Sequence, residues 1–310
     1  MKKNILILGG FGFIGTNLTE ELLKRGNYEI IIFEAKEIQI QNPDLLNQVK
    51  IYYGDFHNEN DYEIIFRENQ IDLVINLIST TIPSVSNDNI VYDINSNLIN
   101  TIKLLDVMKQ YNVNQIIFPS SGGTIYGISK EKHKESDFTT PICSYGIIKL
   151  AIEKYLQLYN YLHGISYLIL RFSNPFGEYH KNPRQGLINV ILNKILNNET
   201  IEIWGDGSVV RDYIYIKDLV SIVGDLIEKD IQNKIINIGS GQGYSVNEVL
   251  NIIRDEIGDF PLRYTESRKI DVSYLVLNID KLRGILKINL TNLSEGIKRT
   301  YNWLKTKQKD

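Results

Sequence analysis

A tyrosine and a lysine four residues apart form a pair that could carry out acid–base chemistry. Tyr145 and Lys149 lie at the start of a predicted helix over 145–163, where this spacing places both side chains on one face. A tyrosine hydroxyl has a pKa of about 10, and a neighbouring ammonium group favours the phenolate. The pair could therefore act as a general base. Because the chain has 19 tyrosines, the spacing becomes specific only in combination with other features.

A run of hydroxyl residues precedes this pair in the chain. Ser120, Ser121 and Thr124 follow a predicted strand over 115–118, with two glycines among them. In sheets of parallel strands, ligands bind beyond the carboxyl ends of the strands. One of these hydroxyls could therefore hydrogen-bond the substrate oxygen that loses its proton.

Glycines near the N-terminus indicate a second kind of chemistry, the binding of a dinucleotide. Gly9, Gly12 and Gly15 form the pattern G-x-x-G-x-x-G between a predicted strand over 4–8 and a predicted helix over 15–25. Glycine at these positions lets the backbone approach a pyrophosphate, whose charge then lies at the helix N-terminus.

An acidic residue indicates which dinucleotide is bound. Glu34 ends the second predicted strand, about 20 residues after the last glycine, where a carboxylate would accept hydrogen bonds from ribose hydroxyls and repel a 2′-phosphate. We therefore predict NAD rather than NADP as the cofactor, although Lys36 lies close enough to weaken the repulsion.

Apolar runs alternate with helix-length segments over the first part of the chain. The runs are 4–8, 29–33, 71–78, 115–118 and 165–172, and the predicted helices between or after them include 15–25, 92–111 and 145–163. Nearly continuous apolar strands indicate a parallel sheet that is covered on both faces. The sequence thus predicts an α/β protein with a Rossmann-type, doubly wound parallel sheet.

A smaller α/β substrate-binding lobe is predicted for the rest of the chain. An amphipathic segment over 187–197 and strand-like pieces at 201–204 and 213–216 follow the last break, and 235–238 returns to the sheet. We expect a nucleotide-binding domain of residues 1–175 with about 211–240. The second lobe would comprise 176–210 and 241–310.

Composition limits the class of protein. The 310 residues carry a formal net charge of −3 and one cysteine, Cys143, so we expect neither a nucleic-acid partner nor an internal disulfide. We find no stretch of 18 apolar residues, as a membrane-spanning helix would need. We therefore expect a cytoplasmic enzyme without a membrane anchor and without a metal.

Further motifs, in combination, resemble those of the extended short-chain dehydrogenase/reductase superfamily. They are Gly54-Asp55, the SSGGTIYG run, Arg171-Phe-Ser-Asn174-Pro-Phe-Gly177, Gly205-Asp-Gly-Ser-Val-Val-Arg211-Asp-Tyr213 and Asn237-Ile-Gly-Ser-Gly241. Within the NAD-dependent epimerase/dehydratase family, the chain is most similar to epimerases of the UDP-glucose 4-epimerase type. The resemblance extends over essentially the whole chain.

The resemblance implies roles for individual residues. Cofactor contacts fall on Gly9, Gly12, Phe13, Ile14, Gly15, Glu34, Asp55, Phe56, Leu77, Asn97, Tyr145 and Lys149, and substrate contacts on Asn174, Leu187, Arg211, Tyr213, Arg268, Asp271 and Leu275. Arg211 and Arg268 would hold the nucleotide diphosphate, for which a planar bidentate donor is well suited. A homodimer is also implied, because α/β enzymes of this superfamily commonly pair two helices from each subunit. Apolar residues of 145–163 exceed what one sheet-facing stripe needs.

The catalytic hydroxyl can be aligned in two ways. Counting back from Tyr126 places the family's Ser or Thr at Gly122, whereas counting forward from Phe118 places it at Ser121. We favour Ser121, with Thr124 as a substitute. Dehydratases and decarboxylating members carry acidic residues here, and this chain has none, which favours epimerisation of a UDP-hexose through a 4-keto intermediate. A UDP-glucuronate epimerase, a reductase, a dehydratase and a non-catalytic dinucleotide-binding regulator are the alternatives.

Leu275 is expected to affect how large a substituent at C2 of the sugar the pocket accepts. The resemblance places it where members restricted to glucose and galactose carry a tyrosine beside the sugar's C2 substituent. Leucine is shorter, so the pocket should accept N-acetyl sugars unless a neighbour such as Tyr274 fills the space.

Overall fold

The apolar runs of the sequence form strands in a computed structural model, which describes residues 2–266 and 272–308. The strands are β1 (Lys3–Leu8), β2 (Tyr28–Glu34), β3 (Lys50–Tyr53), β4 (Leu73–Asn76), β5 (Gln115–Ser121), β6 (Ser166–Phe172), β7 (Asn174–Phe176), β8 (Ile201–Trp204), β9 (Val210–Tyr215), β10 (Lys234–Ile238), β11 (Gly243–Ser245), β12 (Leu262–Thr265) and β13 (Tyr274–Leu275). Seven of them form one parallel sheet in the order β10-β6-β5-β4-β1-β2-β3.

Helices cover both faces of this sheet. The α-helices of the described residues are α1 (Phe13–Arg25), α2 (Glu59–Glu68), α3 (Ile90–Asp93), α4 (Asn100–Gln110), α5 (Ser144–His163), α6 (Leu187–Leu196), α7 (Ile216–Glu228), α8 (Val246–Ile257), α9 (Asp280–Ile285) and α10 (Leu293–Lys307). Of these, α1 and α7 pack on one face of the large sheet and α2, α4 and α5 on the other. Within β1, Ile5 and Ile7 pack toward the face of α1 and α7, whereas Leu6 and Leu8 pack toward α2, α4 and α5. Strand side chains alternate between faces, so both faces are apolar. The predicted doubly wound parallel sheet is confirmed.

The helix predicted over 92–111 has a more complex form. It begins as α3, continues through a π-helical segment at Ile94–Ile99 and ends as α4. π-Helical segments are rare and are frequent at functional sites. The interruption places Asp93 and Asn97 against the loop that follows β4.

A four-stranded sheet formed by β7, β9, β11 and β13 lies beyond the last strands of the large sheet, and β8 pairs with β12 separately. The strand predicted at 213–216 is β9, which begins earlier, at Val210, and ends where α7 begins at Ile216. Therefore β7 (174–176) and β9 (210–215) pair within the smaller sheet. In contrast, α7 packs on α1, and β10 is an edge strand of the large sheet. The division of the chain into two functional domains stays a prediction.

The length and apolar character of its helices indicate whether a chain could cross a membrane. Over residues 2–266 and 272–308, none combines the length and the apolar character that a bilayer span needs.

Candidate active site

The glycine loop joins β1 to α1 at the carboxyl edge of the large sheet. Gly9 has a φ of 81°, a left-handed conformation that favours glycine. A Cβ added at Gly15 would lie 2.2 Å from the carbonyl oxygen of Gly9, so only glycine allows the helix to start this close to the loop. Gly12 caps α1 without a side-chain hydrogen bond, and Phe13 and Ile14 form the first helical turn. This bare helix N-terminus fits a pyrophosphate.

Glu34 lies beside this loop, at the carboxyl end of β2. Its carboxylate is buried and accepts hydrogen bonds from the backbone N–H groups of Phe11 at 2.9 Å and Ala35 at 3.1 Å. Burial raises the pKa of Glu34, and the two backbone hydrogen bonds lower it in part. The predicted ribose acceptor thus also holds the glycine loop.

The other predicted cofactor residues follow neighbouring strands. Asp55, after β3, has an exposed carboxylate that accepts hydrogen bonds from the backbone and ring of His57. The ring of Phe56 is buried against Tyr62, 5.5 Å between centroids. Leu77 extends the pairing of β4 through its N–H, which donates to the Leu8 carbonyl at 2.9 Å. Their contacts with the cofactor stay predictions.

Asn97 lies in the π-helical segment, and both polar atoms of its side chain form hydrogen bonds. Its Nδ2 donates to Asp93 at 2.9 Å, and its Oδ1 accepts from the N–H of Thr80 at 3.0 Å. Asp93 is fully buried and also accepts from the hydroxyls of Thr81 and Ser144. These bonds join the loop after β4 to the start of α5, directly before Tyr145. Sequence reasoning missed Asp93. Its only sequence signal was its acidic type within a predicted helix, and its contact with the start of α5 depends on the fold.

Tyr145 and Lys149 lie on one face of α5, as predicted. The Lys149 Nζ is 5.5 Å from the centre of the Tyr145 ring and 4.6 Å from that of Phe118, and it donates to the Pro119 carbonyl at 3.0 Å. Burial lowers the pKa of Lys149 to about 8, opposed by the negative charges of Asp93 and Glu153. Lys149 is therefore anchored at the end of β5, where the predicted catalytic hydroxyls begin.

Burial dominates the titration of Tyr145. It raises the pKa of Tyr145 to about 12, with a hydrogen bond from Ser79 acting in the opposite direction. Formation of the phenolate near neutral pH thus requires positive charge close to the ring. The sequence did not single out Ser79, because its hydrogen bond with Tyr145 joins residues 66 positions apart and depends on the fold.

The structure places the candidate hydroxyls on the turn after β5. Ser121 ends the strand, half-buried, and the Thr124 hydroxyl is buried without a hydrogen-bond partner in the part of the chain that is described. A Cβ added at Gly122 would lie 2.7 Å from the end of the Leu277 side chain, so a larger residue there would have to displace Leu277. The choice of Ser121 as the catalytic hydroxyl stays a prediction.

The smaller sheet brings several predicted substrate residues together. Asn174 on β7 is paired with Tyr213 on β9, and Arg211 on β9 is paired with Leu275 on β13. The Asn174 side chain donates to the Asp212 carbonyl at 2.9 Å, and Arg211 donates to the Val210 carbonyl. Two more predicted residues, Arg268 and Asp271, lie outside the described residues.

Asp212 fixes this sheet from within. Its carboxylate is fully buried and accepts from the N–H and hydroxyl of Ser240 at 2.8 and 2.7 Å and from the N–H of Gly241 at 3.1 Å. These bonds tie β9, and with it Arg211, to the loop after β10. The sequence shows Asp212 only as a member of a motif.

His180 joins the glycine loop to the segment that leads into α6. Its ring lies 4.6 Å from that of Phe13, edge to face, and a Cβ added at Gly186 would come within 2.7 Å of its Nε2. Gly186 caps α6, whose first residue is Leu187. Burial lowers the pKa of His180 to about 4, so the ring is neutral near pH 7.

Comparison with known families agrees with this geometry. A model of the NAD dependent epimerase/dehydratase family matches residues 5–239. The chain belongs to this family, which confirms the resemblance inferred from the motifs and, at the level of the family, the dependence on NAD.

Curated relatives match most of the chain, and an epimerase and a reductase are two of them. A UDP-glucose 4-epimerase of Halalkalibacterium halodurans is 30% identical over 322 residues, covering 97% of this chain and 95% of the relative. A dTDP-4-dehydro-6-deoxyglucose reductase of Escherichia coli is 35% identical over 259 residues, covering 81% of each chain.

Solved structures share the whole fold, among them those of two UDP-sugar epimerases. The UDP-glucose 4-epimerase of Thermotoga maritima with UDP-glucose is similar at a TM-score of 0.90 and 29% identity, covering 98% of this chain and 99% of its own. The UDP-N-acetylglucosamine 4-epimerase of Methanobrevibacter ruminantium in complex with UDP-N-acetylmuramic acid has a TM-score of 0.90 and 27% identity, covering 99% and 100%.

Proposed function

We propose that this chain is an NAD-dependent epimerase that inverts C4 of a UDP-hexose. The observation that carries the proposal is the anchoring of Lys149 on the Pro119 carbonyl beside Tyr145 and Ser121, at the same sheet edge as the glycine loop. A base, a hydroxyl and a nearby nucleotide site are the groups that a reversible oxidation of an alcohol needs. The similarity to 4-epimerases over nearly the whole chain supports this choice.

In this proposal, each residue of the site has its own role in the removal of the proton and hydride at C4. Tyr145 as phenolate takes the proton of the sugar 4-hydroxyl, and Ser121, with Thr124 as substitute, hydrogen-bonds the same oxygen. Lys149 supplies positive charge to the phenolate. NAD, when bound, adds the positive charge of its ring and accepts and returns one hydride at C4.

Inversion requires the sugar to turn while its nucleotide stays in place. Arg211 and Arg268 hold the diphosphate, and the 4-keto sugar rotates about that linkage before Tyr145 returns the proton. Asn174, Leu187, Tyr213, Asp271 and Leu275 surround the nucleotide and sugar in this proposal. No net oxidation of the sugar occurs, so turnover would require no exchange of the cofactor.

Incubation of the purified protein with UDP-glucose, UDP-N-acetylglucosamine and UDP-glucuronate in separate reactions tests the proposal. We expect the 4-epimer of at least one substrate to accumulate to equilibrium without consumption of added NADH. A reductase, which the 35% identical relative represents, would instead consume NADH or NADPH with a 4-keto deoxysugar. Lack of turnover of all three UDP-sugars would overturn the epimerase assignment.

We also propose a cytoplasmic homodimer formed through α5 and the helical segment near 95–111. Of the apolar residues that suggested this, Ile152, Leu156 and Tyr159 belong to the core, whereas Leu162 is 56% exposed; Tyr161, on the same helix, is 86% exposed. Light scattering should return twice the mass of the chain, and Leu162→Glu should shift it toward 35.7 kDa. Phe138→Glu, on an exposed loop, is the control and should stay dimeric. A wild-type mass near that of one chain would contradict the dimer.

A further inference from the structure

Glu153 lies one helical turn beyond Lys149, so that Tyr145, Lys149 and Glu153 follow one another on a single face of α5. The Glu153 side chain is 0% exposed. A carboxylate is rarely buried to this extent unless it is paired. The reaction proposed above does not use this group.

The partners of Glu153 come from two strands of the large sheet. Arg171, on β6, is 3% exposed and donates to both carboxylate oxygens, from Nε at 3.1 Å and from Nη2 at 2.7 Å. Ser120, near the end of β5, donates its hydroxyl to Oε1. The carboxylate is therefore held by a bidentate guanidinium and by the residue next to Ser121.

The contacts of Lys149 and Glu153 fall on consecutive residues of β5. Lys149 donates to the Pro119 carbonyl at 3.0 Å, and Glu153 accepts from Ser120. Two turns of the helix are thus fixed to two neighbouring positions of the strand. This pairing sets the register of α5, and with it the position of Tyr145 relative to Ser121.

Charge is the second property that Glu153 contributes. Among the described residues, three charged or titratable groups face Lys149: Asp93 from α3, and Tyr145 and Glu153 from α5 itself. Arg171, on β6, faces Glu153. Burial lowers the pKa of Lys149 to about 8, and the charges of Asp93 and Glu153 raise it. The ammonium form therefore depends on these two carboxylates near neutral pH.

We propose that Glu153 is a positioning residue for the Tyr145–Lys149 pair, holding α5 in register on β5 and keeping Lys149 in its ammonium form. The proposal rests on the proposed function for its catalytic meaning, since the ammonium matters because it favours the Tyr145 phenolate. It extends the pair to a triad of spacing Y-x-x-x-K-x-x-x-E, in which the acidic residue touches neither substrate nor cofactor.

NMR titration of protein carrying isotope-labelled lysine tests the charge directly. The Lys149 signal is assigned by its loss in Lys149→Arg. In Glu153→Gln we expect the pKa of Lys149 to fall by about one unit, the effect of losing a nearby opposite charge. The alkaline limb of the kcat–pH profile should move to lower pH with it. Glu153→Asp, which keeps the charge, and Ser120→Ala, which removes only a hydroxyl, should leave that limb near its wild-type position.

Removal of one member of a buried ion pair could prevent folding, so a second variant completes the test. If Glu153→Gln does not fold, Glu153→Gln/Arg171→Gln, which leaves no unpaired charge, is titrated in its place. Because this variant also removes the positive charge of Arg171, which lies on the far side of Glu153, the expected fall in the pKa of Lys149 is smaller than in Glu153→Gln. A folded variant with wild-type Lys149 pKa and an unmoved alkaline limb overturns the proposal. Failure of the wild type to epimerise any sugar would overturn the proposed function, while the NMR titration would still decide the effect of Glu153 on Lys149.

Discussion

The carboxylate of Glu34 accepts a hydrogen bond of 2.9 Å from the backbone N–H of Phe11, inside the glycine loop. The end of β2 thereby sets the shape of the loop that follows β1. Each carboxylate oxygen has a second lone-pair site, so the same group can still accept a hydrogen bond from a ribose hydroxyl. The side chain that we predict to select NAD therefore also sets the geometry of the loop.

Tyr145→Phe should lower kcat by about 10²–10⁴-fold, because it removes the acid–base oxygen and keeps the packing of the ring. Melting temperature and the NAD content of the purified protein should stay at wild-type values. Tyr161→Phe makes the same change on the exposed side of the same helix and should leave kcat unchanged. Retention of more than about a tenth of the activity by Tyr145→Phe would contradict the general-base role.

Gly15→Ala should abolish retention of NAD and lower the free energy of unfolding by about 1–3 kcal/mol. The added Cβ would lie 2.2 Å from the Gly9 carbonyl oxygen, so α1 must move away from the loop. Gly284→Ala is the matched control, since a Cβ there meets no atom within 4 Å. Its stability should change by less than about 1 kcal/mol. Normal NAD content in Gly15→Ala would show that the loop tolerates displacement.

Acid should destabilise the protein through His180. Burial lowers the pKa of His180 to about 4 from an ordinary value of 6.5, so between these values the unfolded chain binds the proton and the folded chain does not. Stability is complete above pH 6.5 and falls by about 3 kcal/mol as the pH approaches 4. Chemical denaturation of His180→Asn across this window should show a smaller loss, whereas the exposed His163→Asn should behave as wild type. Equal acid sensitivity of His180→Asn and wild type would exclude His180 as the cause.

Substrate breadth should depend on Leu275. We expect wild-type protein to convert UDP-N-acetylglucosamine at least as well as UDP-glucose, and Leu275→Tyr to lower kcat/KM for the N-acetyl sugar selectively, by about tenfold or more. Because Leu275 is buried, melting temperature must show that the variant folds, and Leu275→Met serves as the control of similar volume. Turnover of UDP-glucose with none of UDP-N-acetylglucosamine by the wild type would refute the open pocket.

Periodicity and motifs predicted the large sheet and the face shared by Tyr145 and Lys149, because each depends on local spacing. The π-helical segment at Ile94–Ile99 was not predicted, since hydrophobic periodicity hardly distinguishes one extra residue in a helical turn. Its effect is tertiary: it directs Asp93 toward Ser144, 51 residues away.

Long-range polar contacts were the part of the site that the sequence could not show. Glu153 meets Arg171 across two elements, and Asp212 meets Ser240 through a loop whose path depends on the whole fold. Gly122 is informative in the same way, because its lack of a side chain is explained by Leu277, more than 150 positions later. Such pairs can be recognised only when the topology is known, because it is the topology that brings residues distant in sequence into contact.

The position of β10 at the edge of the large sheet has a consequence for synthesis on the ribosome. β10 covers β6, yet residues 174–215, which build much of the smaller sheet, are translated between them. Until residue 238 has emerged, the nascent chain presents β6 as an unpaired strand edge, which is a template for pairing with other chains. Translation that stalls between residues 172 and 234 should therefore yield aggregation-prone fragments.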